Sequence, residues 1–179
     1  MLHFLRRHSR SRFIKVVFVA IIGVFTLWGV GSIVNNHVSN TRGFVVDGAA
    51  LTFTGNSWGP PENAGAEIAL INSTTSSQYP NLLALSAANN NAYISAQFVG
   101  GANGRGIAYV NASAAPNGFG SASAPYQSVQ TGVNNALPGG TVQVAAGSYT
   151  EQVVVNGKNL TIQGAGRAST TIVSPASLV

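Results

Sequence analysis

The sequence contains no cysteine and very few acidic residues. Without cysteine, neither a disulfide framework nor a thiolate metal site is available. Asp and Glu together number only 4, whereas Ca²⁺ sites and acid–base catalysis both need several carboxylates close together. These shortages predict a chain that carries no metal and no other cofactor, and we interpret it as not being an enzyme.

Charge is scarce and lies mainly at one end. Charged residues make up 7% of the chain, with a formal net charge of +5. Of the 9 Lys and Arg residues, five lie within residues 1–15, and the other four offset the 4 acidic residues. The five are Arg6, Arg7, Arg10, Arg12 and Lys15. A nucleic-acid-binding domain needs cations spread over a folded face, so no nucleic-acid partner is expected.

An uncharged, mostly apolar run at residues 16–34 follows this basic head. At about 1.5 Å per residue a helix of this length nearly spans a hydrocarbon core of about 30 Å. The positive-inside rule keeps residues 1–15 in the cytoplasm and exports the rest, with Trp28 as an interfacial anchor. We therefore expect a signal-anchor helix in a bacterial inner membrane, with the lipid bilayer as its partner and a periplasmic or extracellular remainder. A cleavable signal peptide, giving a secreted protein, and a buried core helix are the alternatives.

The N-terminal residues also resemble a known family. The stretches MLHFLRRHSRSRFIKVV and LWGVGS are similar to the start of PpiD-type, SurA-like periplasmic folding factors, which open with a basic stretch and one inner-membrane helix. The resemblance covers about the first 34 residues and implies the same topology. It also implies a long helical chaperone region afterwards, for which the sequence shows no pattern. A remnant of such a folding factor is therefore one interpretation of the chain.

Short alternating segments characterise residues 35–106, an Asn/Gly/Ser-rich β region and bridge that is expected to be exported. Within it, residues 60–105 are interpreted as a bridge between two β modules. Alternation of apolar and polar residues with Gly and Asn between the segments indicates strands and turns. The segments are strands at Phe44/Val46 and Leu51/Phe53, strands or a helical turn at Glu67–Ile71 and Leu82–Leu85, and a loop tip at Asn89–Asn91. The stretch Gly55–Gly59 resembles a turn of bacterial β-helix proteins.

The clearest helix pattern lies at about residues 125–137, near the start of the region 107–179. Its apolar residues recur on one helical face, and Pro138 and the glycines after it end the helix. These apolar residues are Tyr126, Val129, Val133, Ala136 and Leu137. A strand at Ile107–Val110 precedes the helix, which is predicted to cap the structure that follows.

Four short strands are predicted after the helix. They centre on Val142/Val144, Val153/Val155, Leu160/Ile162 and Ile172. The intervening turns are too short for the crossover helices of an open parallel sheet, which leaves hairpins or a coil of stacked parallel strands. The preceding helix favours the coil, because a solenoid needs its open end covered.

The stretches PYQSVQ, PGGTV, AGSYTE and NLTIQGAG resemble the N-terminal part of pectin-lyase-like right-handed parallel β-helices. The predicted fold class is therefore mainly β: a partial right-handed parallel β-helix with an N-terminal capping helix, preceded by a single transmembrane helix. The family includes pectinesterases, polysaccharide lyases and cell-surface proteins without known catalysis. The resemblance specifies the fold and leaves the activity open.

Few residues are candidates for a site. Tyr126 and Tyr149 are candidates for contact with sugar at the surface, but packing in the core or the cap is the favoured interpretation for both rings. His37 and Asp47 have no serine at a spacing that supports a triad. We predict a non-catalytic, membrane-anchored or exported β-helix segment of a cell-envelope protein that binds polysaccharide or other surface molecules. The alternative is a truncated N-terminal part of a pectinesterase- or polysaccharide-lyase-like enzyme.

Overall fold

The computed structural model describes residues 31–39, 43–59, 66–71 and 74–177, in which short strands predominate. The strands are β1 Gly31–Val34, β2 His37–Ser39, β3 Phe44–Asp47, β4 Leu51–Thr54, β5 Ser57–Gly59, β6 Ile68–Ile71, β7 Ile94–Ala96, β8 Asn103–Val110, β9 Ala136–Val144, β10 Gly147–Thr150, β11 Thr161–Gly164 and β12 Thr170–Val173. The helices are α1 Leu82–Ala88 and α2 Val129–Asn135.

Successive turns of the chain stack their strands in parallel. β1 pairs with β4, β2 with β5 and β10 with β12, while a larger sheet has the order β11-β9-β8-β7-β6-β3. Among the described strands the exception is β7 with β8, which pair antiparallel over two residue pairs. The chain is therefore a mainly β solenoid of about six turns with few helices, which confirms the predicted class at that level.

A column of asparagines holds one corner of the first turns. The backbone N–H and the side-chain Nδ2 of Asn36 both donate to Asn56 Oδ1 at 3.0 Å, and Asn56 Nδ2 donates to Asn89 Oδ1 at 2.8 Å. Asn35 and Gly55, with φ of 57° and 70°, make the sharp bends just before this column, as residues that tolerate the left-handed region do. The loop predicted at Asn89–Asn91 is the turn after α1, with φ of 52° and 61° at Asn90 and Asn91, but the Asn89 side chain is fully buried and links two turns of the coil.

Two hydrophobic cores fill the coil. The buried residues of the first core are Val46, Phe53, Ile68, Leu70, Tyr79, Ala92, Ile94, Ala96 and Leu137. Those of the second core are Ala108, Val110, Tyr126, Val129, Val133, Ala136, Val142, Val144 and Tyr149. Helix α2 contributes Val129 and Val133 to the second core and packs against β8 and β9. It lies inside the range for which the apolar spacing predicts a helix.

Charged side chains clamp both ends of α2. The two carboxylate oxygens of Glu151 accept the backbone N–H groups of Val129 and Gln130, both at 2.7 Å. Lys158 Nζ donates to the carbonyl oxygens of Asn134 and Ala136 at 3.1 and 2.8 Å. An anion at the N-terminus and a cation at the C-terminus both complement the helix dipole. The loop after β10 therefore holds the helix at two points.

The strand predicted at Val153/Val155 is not present, since residues 152–156 form a loop. The backbone of Val154 exchanges two hydrogen bonds with the side-chain amide of Gln130, at 2.6 and 3.0 Å. An amide on α2 thus takes the place of a neighbouring strand. The alternation that predicts the strand places Val154 on the surface, 53% exposed.

The predicted transmembrane helix lies mostly outside the described residues, as do Arg6, Arg7, Arg10, Arg12, Lys15 and Trp28. Its last four residues are described, and there the prediction is wrong: Gly31–Val34 form β1, paired in register with Leu51–Thr54. Ile33 packs against the first core, which favours a strand at this point. Within the described ranges no helix is long and apolar enough to cross a bilayer.

Candidate functional site

A buried ion pair joins Glu67, just before β6, to Arg105 in β8. Arg105 Nη1 and Nη2 each lie 3.0 Å from one oxygen of the Glu67 carboxylate. The side chains are only 4% and 11% exposed for Arg105 and Glu67. This two-point geometry is the strong form of a charge-assisted hydrogen bond.

The remaining polar atoms of this pair also have partners. Arg105 donates to the carbonyl oxygens of Phe119 at 2.9 Å and Asn91 at 2.8 Å, and Glu67 accepts the backbone N–H of Tyr93 at 2.6 Å. The guanidinium carbon also lies 5.9 Å from the centroid of the Tyr93 ring. A carboxylate held by so many donors is committed to the fold, so the geometry gives this pair a structural role.

The ion pair belongs to a polar junction between the two cores. The side-chain amide of Asn91 bonds the N–H and the carbonyl of Ile107 at 2.6 and 2.7 Å, as a neighbouring strand would. Ser86 Oγ accepts the N–H of Gly106 at 2.9 Å. Tyr93 donates its hydroxyl to Asn135 Oδ1 at 3.0 Å. Side chains therefore replace much of the backbone ladder where the sheet passes from β7 to β8.

The two tyrosines considered for contact with sugar are buried. Tyr126 is 8% exposed and Tyr149 is 3% exposed, and both pack in the second core. The Tyr149 hydroxyl donates to the carbonyl of Ala145 at 3.0 Å. Burial raises the pKa of the Tyr126 phenol well above its usual range. Core packing, the interpretation that the sequence favours, is therefore what the structure shows, and surface contact with sugar at Tyr126 and Tyr149 is excluded by their burial.

The imidazole of His37 contacts a hydroxyl. His37 Nδ1 lies 2.9 Å from Ser57 Oγ, because the two residues are partners in the parallel pairing of β2 and β5. The contact is exposed to solvent, unlike the water-excluding sites in which nucleophiles are activated. Among the described residues no three His, Asp or Glu side chains converge as metal ligands.

An uncharged face covers the outside of β8, β9 and β11. Ala108, Val110, Val142 and Val144 point into the core and are at most 1% exposed, so the residues alternating with them point outward. We call these outward residues the outer platform: Ile107, Tyr109, Thr141, Gln143, Thr161 and Gln163. The outer platform places the half-buried ring of Tyr109 beside amides and hydroxyls on parallel strands.

The last described turn leaves inward-facing residues uncovered. Ile162 and Ile172 are 39% and 46% exposed, whereas their register partners one turn earlier, Val142 and Tyr149, are 0% and 3% exposed. A cleft of about 400 Å³ lies beside them, next to Arg167. Burial in the solenoid therefore depends on a covering turn.

Residues 1–54 match a family model described as a SurA-like N-terminal domain. The match covers less than half of the chain and includes β1 to β4, so it extends into the first turns of the solenoid. After it, the described residues form further solenoid strands rather than the long helical region that the resemblance to folding factors implies. No curated protein and no solved structure matches the chain.

Proposed function

We propose that the chain is a non-catalytic, membrane-anchored or exported β-helix segment of a cell-envelope protein, and that it binds polysaccharide or other surface molecules. The observation that carries this proposal is the order of the two parts. A segment similar to the SurA-like N-terminal domain begins the chain, and its last part already contains the first strands of a β-solenoid. An N-terminal signal of that kind would bring the solenoid outside the cytoplasm.

The form of the solenoid supports a pectin-lyase-like, right-handed parallel β-helix as its architecture. The stretches that resemble this family lie on α2, β9, β10 and β11, and these strands stack in parallel on neighbouring turns. In this proposal α2 caps the second core, and the clamps at Glu151 and Lys158 fix it there.

The surface chemistry supports binding rather than catalysis. Glu67 is engaged by Arg105, and Glu151 is engaged by the N-terminus of α2. Each of these two carboxylates therefore has a structural partner. The outer platform, by contrast, offers groups suited to recognising hydroxyl-rich ligands without any bond being broken.

Topology is tested by fusing alkaline phosphatase, which is active only outside the cytoplasm, after residue 177 in a bacterial host. Phosphatase activity in the membrane fraction supports the anchored form, and activity in the medium or periplasm supports the cleaved form. Replacing the five head cations by Asn should strongly reduce this activity, because they orient the segment. Arg167→Asn is the matched control and should leave it unchanged. A phosphatase fusion that is produced in full but is inactive would contradict the proposal.

The absence of catalysis is tested by incubating the full chain with pectin, polygalacturonate and xylan and measuring new reducing ends, unsaturated products and released methanol. No product above that of heat-denatured protein is expected. Product formation would favour the alternative of an enzyme of the pectinesterase or polysaccharide-lyase kind.

A further inference from the structure

We propose that the outer platform is a binding surface for a neutral, extended polysaccharide that lies across β8, β9 and β11, along the solenoid axis. This inference rests on the proposed function and assigns the face and the class of ligand. It replaces the candidate sugar contacts at Tyr126 and Tyr149, which are buried.

The register of the strands aligns the platform with a sugar chain. Tyr109 faces Gln143, and Gln143 faces Gln163, so the three side chains form one row across the sheet. Ile107, Thr141 and Thr161 form a parallel row two residues earlier. Neighbouring strands are about 4.8 Å apart, which is close to the length of one pyranose unit in an extended glycan. Each strand can therefore present its pair of side chains to one sugar.

The chemistry of the first row matches the two kinds of surface on a sugar. The ring of Tyr109 provides an aromatic face for the C–H groups of a pyranose, as an aromatic side chain does for apolar surfaces generally. The amides of Gln143 and Gln163 each offer two donors and an acceptor to hydroxyl groups. Gln143 already reaches toward the next strand, with its Nε2 3.4 Å from the carbonyl of Gln163.

The platform is held rigidly from below. Ala108 and Val110, on either side of Tyr109, are 0% and 1% exposed in the second core. The backbone of Tyr109 is fixed on its other side as well, because its N–H donates to the carbonyl of Gly120 and its carbonyl accepts the N–H of Tyr126. A preorganised surface loses little conformational freedom on binding.

The charge of the platform selects a neutral ligand. None of its six residues is ionisable at neutral pH. An acidic polysaccharide would bring carboxylates to a face that holds no cation to pair with them, so its desolvation would be uncompensated. The ordinary hydroxyl groups of a neutral glycan need only the amides and hydroxyls that are present.

The test measures depletion of the detergent-solubilised full chain from solution by insoluble cellulose, chitin and xylan, with cross-linked polygalacturonate as the acidic probe. Tyr109→Ala should weaken binding to the preferred neutral polysaccharide by about tenfold or more, as loss of a central aromatic anchor does. Tyr109→Phe should retain most of the binding. Gln163→Ala, at an exposed position, should weaken it by about threefold or more. Thr52→Ala, on the exposed outside of β4, is the matched control and should bind as the parent does.

Three results would overturn the inference: binding unchanged by both Tyr109→Ala and Gln163→Ala, stronger binding to polygalacturonate than to any neutral probe, or no binding to any neutral probe. Thermal unfolding of each variant separates loss of binding from loss of folding, and Gln163→Ala keeps the test valid if Tyr109→Ala unfolds. The proposed function is judged separately. A chain that is exported and binds polysaccharide through another face would retain that function and lose only the platform.

Discussion

The ion pair between Glu67 and Arg105 allows a sharp test of how the two cores are joined. Arg105→Met removes the guanidinium, which leaves the carboxylate buried and the carbonyl oxygens of Phe119 and Asn91 without their donors. Glu67→Gln removes the negative charge and leaves the guanidinium buried. Breaking a buried pair on one side costs about 3–5 kcal/mol, because an uncompensated charge remains.

The double variant should be much less destabilised than the sum of the two single variants, because it contains no buried charge. The expected coupling energy is at least about 2 kcal/mol, in the upper part of the range for directly bonded residues. The free energy of unfolding of a whole domain is about 5–15 kcal/mol. Each single change should therefore remove a large fraction of it. Arg105→Met should also lower the dependence of unfolding on denaturant, because the two cores would then unfold less cooperatively.

The assay is urea denaturation of the full chain in detergent, followed by far-ultraviolet circular dichroism, for the parent, both single variants and the double variant. Arg167→Met is the matched control, because this arginine is exposed and its loss should change the free energy of unfolding by less than about 0.5 kcal/mol. Single changes whose effects add to within about 0.5 kcal/mol would refute the reasoning.

Three further predictions concern stability. Asn56→Ala removes the middle of the asparagine column and should lower the free energy of unfolding by about 1–3 kcal/mol, measured by urea denaturation, because buried partners remain unsatisfied; an unchanged midpoint would contradict this. Gly132→Ala should destabilise by up to about 2 kcal/mol despite the better helix propensity of alanine, since the new methyl would lie 2.6 Å and 2.8 Å from valine methyls of β8 and β9; a raised melting temperature would show that the core yields there. Burial raises the pKa of Tyr79, Tyr93 and Tyr126 above the ordinary value of 10.0, so the unfolded chain loses these protons first. Stability should therefore be fully present below pH 10.0 and fall as the pH rises above it, and a urea midpoint that stayed constant above that pH would argue against this.

The parts of the fold that can be predicted from the sequence are those with local periodicity. The alternation at Val142 and Val144 and the helical spacing of Val129 and Val133 each reflect one face of a single element buried in the core. Such patterns need no knowledge of the partner element. The strand predicted at Val153/Val155 shows the limit of this approach, because the partner of that backbone is a side chain on α2.

The features that cannot be predicted from the sequence are contacts between residues distant in the chain. Asn36 and Asn56 are 20 residues apart, but Asn56 and Asn89 are 33 apart, and the longer interval contains α1. A fixed spacing is therefore broken just where the column continues. The position of Tyr109 on the outer platform is missed for the same reason, because it follows from the register between β8 and β9.

The junction between β7 and β8 depends both on local strand pairing and on side-chain contacts between residues distant in the sequence. Backbone pairing there is limited to two antiparallel residue pairs, and a solenoid whose turns interact only with their neighbours is as cooperative as its weakest interface. The Glu67–Arg105 pair and the amide of Asn91 supply the specific contacts that this interface lacks in its backbone. A chain with only 4 acidic residues places one of them here in the interior. The cost of burying that charge is understandable if the pair fixes how the second core stacks on the first, and with it the position of the outer platform.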